Sequence, residues 1–292
     1  MHVLVLGCGY VGRELGRQLL DAGHDVTGVV RSAGSAEHVE SDGIEAVRAD
    51  LTDHDAASTL PDADAVVFAA SAGRGSAAEA RALYVDGLGA VVSEFEGRES
   101  SPERLLLTST TGVYGDHGGD WVDESTPIAP ERSKAAVIAE AEAIVHRSEI
   151  DGTVARFAGL YGPGRYRIDA YLDSVTAGWR NSTHRDDAAG ALAWFLTENV
   201  ARNETVLVCD GTPVDRWEFA DWLAERCGAP AAEKLTGEER LDGLSESASL
   251  RVASQKRCRN DRLLELGYEL RHPSVYEGYE PAIDAYRRGE EP

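Results

Sequence analysis

The sequence predicts an α/β protein: a doubly wound parallel sheet with a smaller C-terminal lobe interwoven with it. Three observations carry this. Short apolar runs alternate with helix-length segments over the first half of the chain, as in successive βαβ units. The runs are continuously apolar, which suits strands covered on both faces. The first of them leads directly into a glycine-patterned loop and then a helix.

Residues 3–6 (Val-Leu-Val-Leu) are expected to form the first strand, and residues 10–22 the helix after the glycines. Further strands are expected at 26–30, 44–47, 65–70, 105–107 and 154–157, with helices at 77–96 and 132–148. After Gly164 the pattern loosens. Helices are expected over 168–177, 188–198 and 217–227 and a strand over 205–208, while the polar stretch 233–253 has no readable period. This divides the chain into a sheet-forming unit, 1–164, and a smaller lobe, 165–292, with 181–212 expected to return to the first unit.

The 292 residues are 42% hydrophobic, enough for a sizeable core and too many for a disordered chain. The formal charge of −22 disfavours nucleic acid and anionic membranes as partners. Only Lys134, Lys234 and Lys256 are lysines; the other cations are arginines. Abundant carboxylates with scarce lysine suit a halophilic protein, since salt mutes the self-repulsion. Cys8, Cys209, Cys227 and Cys258 lack metal-ligand or redox-motif spacing, so they are expected to be reduced thiols, with no metal bound. The opening on an apolar strand without a basic leader points to the cytoplasm.

Gly7-Cys8-Gly9-Tyr10-Val11-Gly12 sets G-x-G-x-x-G between the first strand and the first helix. Gly7 permits a tight turn, Gly9 lets a pyrophosphate approach the backbone, and Gly12 lets helix and strand pack closely. The helix N-terminus, from Tyr10 and Val11 onward, offers N–H groups to the anion. This is the Rossmann dinucleotide pattern. Where an NAD site usually carries an acid at the end of the second strand, this chain has Arg31 and Ser32. Arginine can fork onto a 2′-phosphate. NADP is therefore the expected cofactor, with NAD possible.

The chain resembles the short-chain dehydrogenase/reductase superfamily, on its NAD-dependent epimerase/dehydratase side. Asp50-Leu51 resembles the pair facing the adenine, and Ala69-Ala70-Ser71 the loop that lines the cofactor. Thr108-Ser109-Thr110-Thr111-Gly112-Val113-Tyr114-Gly115 is similar to the family's catalytic strand end, which places Thr110 at the catalytic Ser/Thr. Arg156 to Gly164 resembles the loop beside the nicotinamide, and Asn181 with His184-Arg185-Asp186-Asp187 a later polar motif. The family's general acid is a Tyr four residues before a Lys. Here Pro130 stands four residues before Lys134, so the dyad lacks its acid.

Tyr114 and Tyr161 are then the phenols that the resemblance brings near the site, either as replacement acids or as packing groups. Lys134 either assists such an acid or is a solvated helix lysine. His184 reads as a polar gap filler, with Asp186 and Asp187 capping the next helix; Asp123 and Glu124 read as exposed. Arg257, in the basic island 254–260, either binds an anionic substrate or pairs with local carboxylates. The leading expectation is an NADP-dependent oxidoreductase or epimerase-like enzyme acting on a small polar substrate, in the sugar-nucleotide range. The competing one is a non-catalytic NADP(H) sensor. The resemblance also implies a homodimer formed through helices 77–96 and 132–148.

Overall fold

A computed structural model describes residues 1–73, 75–241, 249–250 and 253–290. Seven strands form one parallel sheet: β1 (His2–Leu6), β2 (Asp25–Val30), β3 (Glu45–Arg48), β4 (Ala65–Phe68), β5 (Arg104–Thr110), β6 (Asp151–Phe157) and β7 (Glu204–Val208). Their order across the sheet is β7-β6-β5-β4-β1-β2-β3. The order reverses between β1 and β4, and in a parallel α/β sheet this switch point opens a crevice at the carboxyl edge. β5 extends through Thr110, pairing it with Phe157 of β6.

The strands bury both faces. Val3, Val5, Val67, Leu106 and Val206 meet helices α1 (Tyr10–Asp21) and α7 (Arg185–Thr197) on one side. Leu4, Leu6, Val66, Phe68 and Leu107 meet the helices between β4 and β6 on the other. There the expected single helix 77–96 is interrupted: α3 (Ala77–Arg81) passes through a π-helical turn, Ala82–Gly87, into α4 (Leu88–Glu96). The turn puts Gly87 against the carbonyl of Leu51, where a Cβ would lie 2.2 Å from that oxygen. The second long helix is α5 (Ser133–Arg147).

The remaining elements build a lobe over the carboxyl edge. α6 (Ile168–Asp173) and α8 (Arg216–Cys227) pack with the C-terminal helix Val275–Arg287 around Phe219, Tyr161 and Tyr279. One expectation is corrected here. The helix expected over 168–177 stops at Asp173, and Ser174–Thr176 is a short strand parallel to Glu233–Leu235. Val175 and Thr176 are β-branched and favour that pairing once a partner is present. Part of the polar stretch 233–253 lies outside the described residues.

A buried ion pair ties this architecture together below the site. Arg156 of β6 forks onto Glu142 of α5, with Nε–Oε1 2.9 Å and Nη2–Oε2 2.6 Å. Ser109 of β5 donates to the same carboxylate, and Arg156 also donates to the Tyr114 hydroxyl. Removing one partner of a buried pair leaves an uncompensated charge. Glu142→Gln is therefore expected to cost about 3–5 kcal/mol in urea unfolding. Breaking the surface pair Arg81–Glu140 with Glu140→Gln is expected to cost about 0–1 kcal/mol.

Candidate functional site: a two-part cleft at the carboxyl edge of the sheet

The loop after β1 is shaped by its glycines. Gly7 has φ +85°, and a Cβ there would lie 2.2 Å from the Cα of Ala70. The N–H groups of Gly7 and Cys8 both donate to Val29 O at 3.0 Å, locking the loop to β2. A Cβ on Gly12 would meet Gly7 O and Val5 Cγ1, both at 3.0 Å, so α1 lies tight against β1. Gly9 differs: a Cβ there would meet only Gly7 O, at 3.9 Å, and the open side faces a cleft. Gly9 also stands at the N-cap of α1 with no side-chain cap, leaving the first-turn N–H groups for a ligand.

That cleft has a volume of about 570 Å³ and contains Gly7, Gly9, Tyr10, Val11, Arg31, Ala69, Ala70, Ser71 and Thr110 in its lining. No carboxylate lines it among the described residues. Three expected members lie elsewhere. Ser32 spends its hydroxyl capping α2 (Ala33–Ser41) by accepting from Ser35 N, and Ser35 lines the cleft in its place. Asp50 turns onto Thr52, whose N–H and hydroxyl bonds hold its carboxyl below the usual range. Leu51 is buried against the Gly87 turn. The Tyr10 phenol lies under the Arg165 guanidinium at 3.9 Å, and burial pushes its pKa up to about 12.

Thr110 ends β5, and its Oγ1 accepts from Gly112 N at 3.1 Å. That bond uses a lone pair and leaves the hydroxyl proton to donate. Thr110, Ala158, Leu160 and Arg165 also line a second cleft of about 630 Å³, so the two form one continuous trough. The second half carries Arg132, Arg165, Arg167, Arg180, Arg216, Arg240 and Lys256, and no carboxylate among the described residues. Arg132 Nη2 fills the space a Gly112 side chain would take, 2.6 Å from that Cβ position. Arg180 is 9% exposed; it donates to Ser182 Oγ and the Tyr279 hydroxyl, and its Nη1 has no hydrogen-bond partner among the described residues. Rings of Tyr161, Tyr171, Phe219 and Tyr279 surround it at 4.6–5.6 Å.

The two candidate phenols fare differently from expectation. Tyr114 lines neither half; its hydroxyl donates to Asp123 O at 2.8 Å and accepts from Arg156, and burial pushes its pKa up. It is a structural member of the Arg156 network, not an acid. Tyr161 does line the second half, but its ring stacks on Tyr279 and its hydroxyl points to Ser274 O. Burial raises its pKa as well, which makes it a poor proton source. Lys134 lies outside both linings, with Nζ donating to Gly73 O at 3.2 Å.

His184 is itself the N-cap of α7, accepting from Asp186 N through Nδ1, so the cap is the histidine and not the aspartates. Burial and the neighbouring His272, at a ring distance of 3.7 Å, lower its pKa to about 4. His184, Asp187 and His272 bring ligand-type atoms within 4.8 Å of one another. The Asp187 oxygens there already accept from Arg271 N, His272 N and the Tyr268 hydroxyl. Glu124, expected to be exposed, accepts from Leu207 N at 2.7 Å, and burial raises its pKa. Arg257 donates to Gly119 O between Trp121 and Trp179, so Lys256 is the cation of its island that reaches the cleft, beside Ser254.

A parallel sheet reversing at β1/β4, with a glycine cradle at the helix start, defines a dinucleotide-binding protein. Residues 7–199 match the NAD(P)H-binding family, and the chain belongs to that family. Over 205 residues it is 29% identical to protein YeeZ of Escherichia coli K12, covering 66% of this chain and 72% of YeeZ. It is also 29% identical to a 3-diazoavenalumate denitrifying reductase of Streptomyces, over 95% of this chain and 99% of that one. The fold superposes with a TM-score of 0.82 on the human epimerase family protein SDR39U1, solved with NADPH, at 19% identity over 97% and 99% of the chains. Solved neighbours lie in the NAD-dependent epimerase/dehydratase family. No helix among the described residues is long and apolar enough to cross a membrane.

Two predictions follow from the cradle and from a buried acid. Gly7→Ala is expected to destabilise the fold by at least about 1–2 kcal/mol from the left-handed backbone alone. Gly9→Ala is expected to keep the wild-type melting temperature and lose dinucleotide binding; calorimetry on both variants separates the effects. Asp210 is buried with Oδ2 unpartnered, and burial raises its pKa to about 7. Its folded pKa exceeds its unfolded value, so the stability that Asp210 contributes is full below about pH 4 and is lost as pH rises towards 7. Asp210→Asn is expected to flatten that fall in urea midpoints measured across the range.

Proposed function

We propose that this protein is an NADP(H)-dependent oxidoreductase or epimerase-like enzyme acting on a small anionic substrate, of which a sugar nucleotide is one example. The observation that carries the reading is the single trough with Thr110 at its junction. One half has the glycine cradle and the other a cationic lining with no carboxylate in it among the described residues. The reduced nicotinamide supplies a hydride when bound. Thr110 orients the substrate oxygen through its hydroxyl proton, and the uncapped N-terminus of α1 keeps its backbone N–H groups for the diphosphate.

NADP is favoured over NAD because Arg31 lines the trough and no carboxylate does among the described residues, so a guanidinium is at hand for a 2′-phosphate. An anionic substrate is favoured because Arg180 is desolvated with a spare N–H, a state that a bound anion relieves. The missing dyad Tyr, with Pro130 in its place, favours a non-catalytic sensor instead. An open, polar-lined second half beside Thr110 weighs against that alternative. The acidic, lysine-poor composition supports work in a salty cytoplasm.

Calorimetric titration of NADPH and NADH, in molar potassium chloride, tests the reading. NADPH is expected to bind more tightly, and Arg31→Ala to weaken it about 10–100-fold, the loss of a charge-assisted bond. NADH affinity is expected to stay unchanged. NADPH affinity that survives the substitution would overturn the NADP assignment, and no uptake of either cofactor would overturn the whole reading.

A further inference from the structure

Of the three lysines, Lys256 alone is buried, 8% exposed. It lines the substrate half of the trough with Thr110, Thr111 and Gly112. Its Nζ donates to Gly115 O and to Ser254 Oγ, each at 2.9 Å. An ammonium has three N–H donors. The third has no partner among the described residues. Gly115 closes the turn Thr111–Tyr114 that Thr110 caps, so the ammonium is anchored to the turn that presents the Thr110 hydroxyl.

We propose that Lys256 is the proton donor of this site, taking the part that the absent dyad Tyr leaves open. The proposal rests on the oxidoreductase reading above. In the reducing direction the carbonyl carbon gains a hydride from the reduced nicotinamide. The π pair of the carbonyl moves onto its oxygen, which takes a proton from Lys256 Nζ. The products are an alcohol, the oxidised cofactor and a neutral amine, and cleft water returns the proton to the amine. Thr110, which caps that turn, and Lys256, which is bonded to its end, then serve one substrate oxygen, one orienting it and the other protonating it.

The surroundings suit the task. Burial lowers the Lys256 pKa from its ordinary value, and Arg132 across the turn adds to the lowering. Cys258, Asp116 and Glu131 pull the other way. The Cys258 thiol is held neutral, because burial pushes its pKa up to about 12. A lysine moved towards the working pH gives up its proton more readily than a solvated one. Tyr161 and Tyr114, by contrast, are moved away from that range.

Two measurements test this. The first needs no substrate: isotope-labelled reductive methylation of the full chain and an NMR pH titration, with Lys256→Arg to assign the resonance. Lys256 is expected to titrate below the ordinary lysine range. Titration within that range would overturn the proposal. The second follows NADPH oxidation with a panel of aldehydes, α-keto acids and ortho-quinones. Lys256→Arg keeps the charge but holds its proton, and it is expected to slow reduction by roughly 100-fold or more with NADPH affinity retained. A Lys256→Arg rate equal to wild type would overturn the acid role while leaving the oxidoreductase reading intact. Wild-type protein that binds NADPH but reduces no member of the panel would overturn that reading and the acid role with it.

Discussion

The close approach of Gly7 to Ala70 is the constraint on which the site depends. β1 and β4 are neighbours in the sheet, yet their chains leave its carboxyl edge in different directions. The loop after β1 can turn beneath the ligand only if its first residue has a left-handed backbone and no side chain. Because all seven strands run parallel, every strand-end residue emerges along the same edge. Arg31 after β2, Ala69 to Ser71 after β4 and Thr110 at the end of β5 therefore converge, although up to about 80 residues separate them in sequence.

A second constraint acts beneath the first. Arg156, Glu142, Ser109 and Tyr114 join two strands, a helix and the turn after Thr110 through one buried network. A buried ion pair of this kind contributes more to a single geometry than to net stability, since its desolvation cost offsets much of the attraction. Here the geometry at stake is the position of the Thr110 turn. This explains why Tyr114, which follows Thr110 so closely, cannot be the missing acid: its hydroxyl is already committed to Arg156 and Asp123.

The sheet and the cradle were legible because their causes are local. Apolar runs mark buried strands, and the positive φ of Gly7 and the contacts of Gly12 with Gly7 O and Val5 are requirements set within the loop and its strand. The substrate half was not legible for the opposite reason. Ser174–Thr176 follows a helical run and becomes a strand only because Glu233–Leu235, far along the chain, pairs with it. Lys256 and Arg257 are adjacent, and no local pattern says which of them reaches the trough; the strand Arg257–Cys258 beside Trp121–Val122 decides it. His184 as a cap was missed because the aspartates after it are the commoner capping residues. Ser35 was missed because its role follows from Ser32 turning inward to hold α2.

The charge pattern connects the composition to the trough. A net charge of −22 sets up a long-range field that opposes any anion, while the substrate half presents cations without carboxylates among the described residues. The two effects act over different distances. The global field is spread over the surface and is cut off within about 3 Å in molar salt, against about 10 Å at a tenth of that. Direct contacts to a desolvated guanidinium such as Arg180 are screened far less, because water and ions are excluded from it. Raising the salt thus removes the repulsion and leaves most of the attraction. An acidic exterior and a cationic cleft are compatible in this molecule because they respond differently to the same ionic strength.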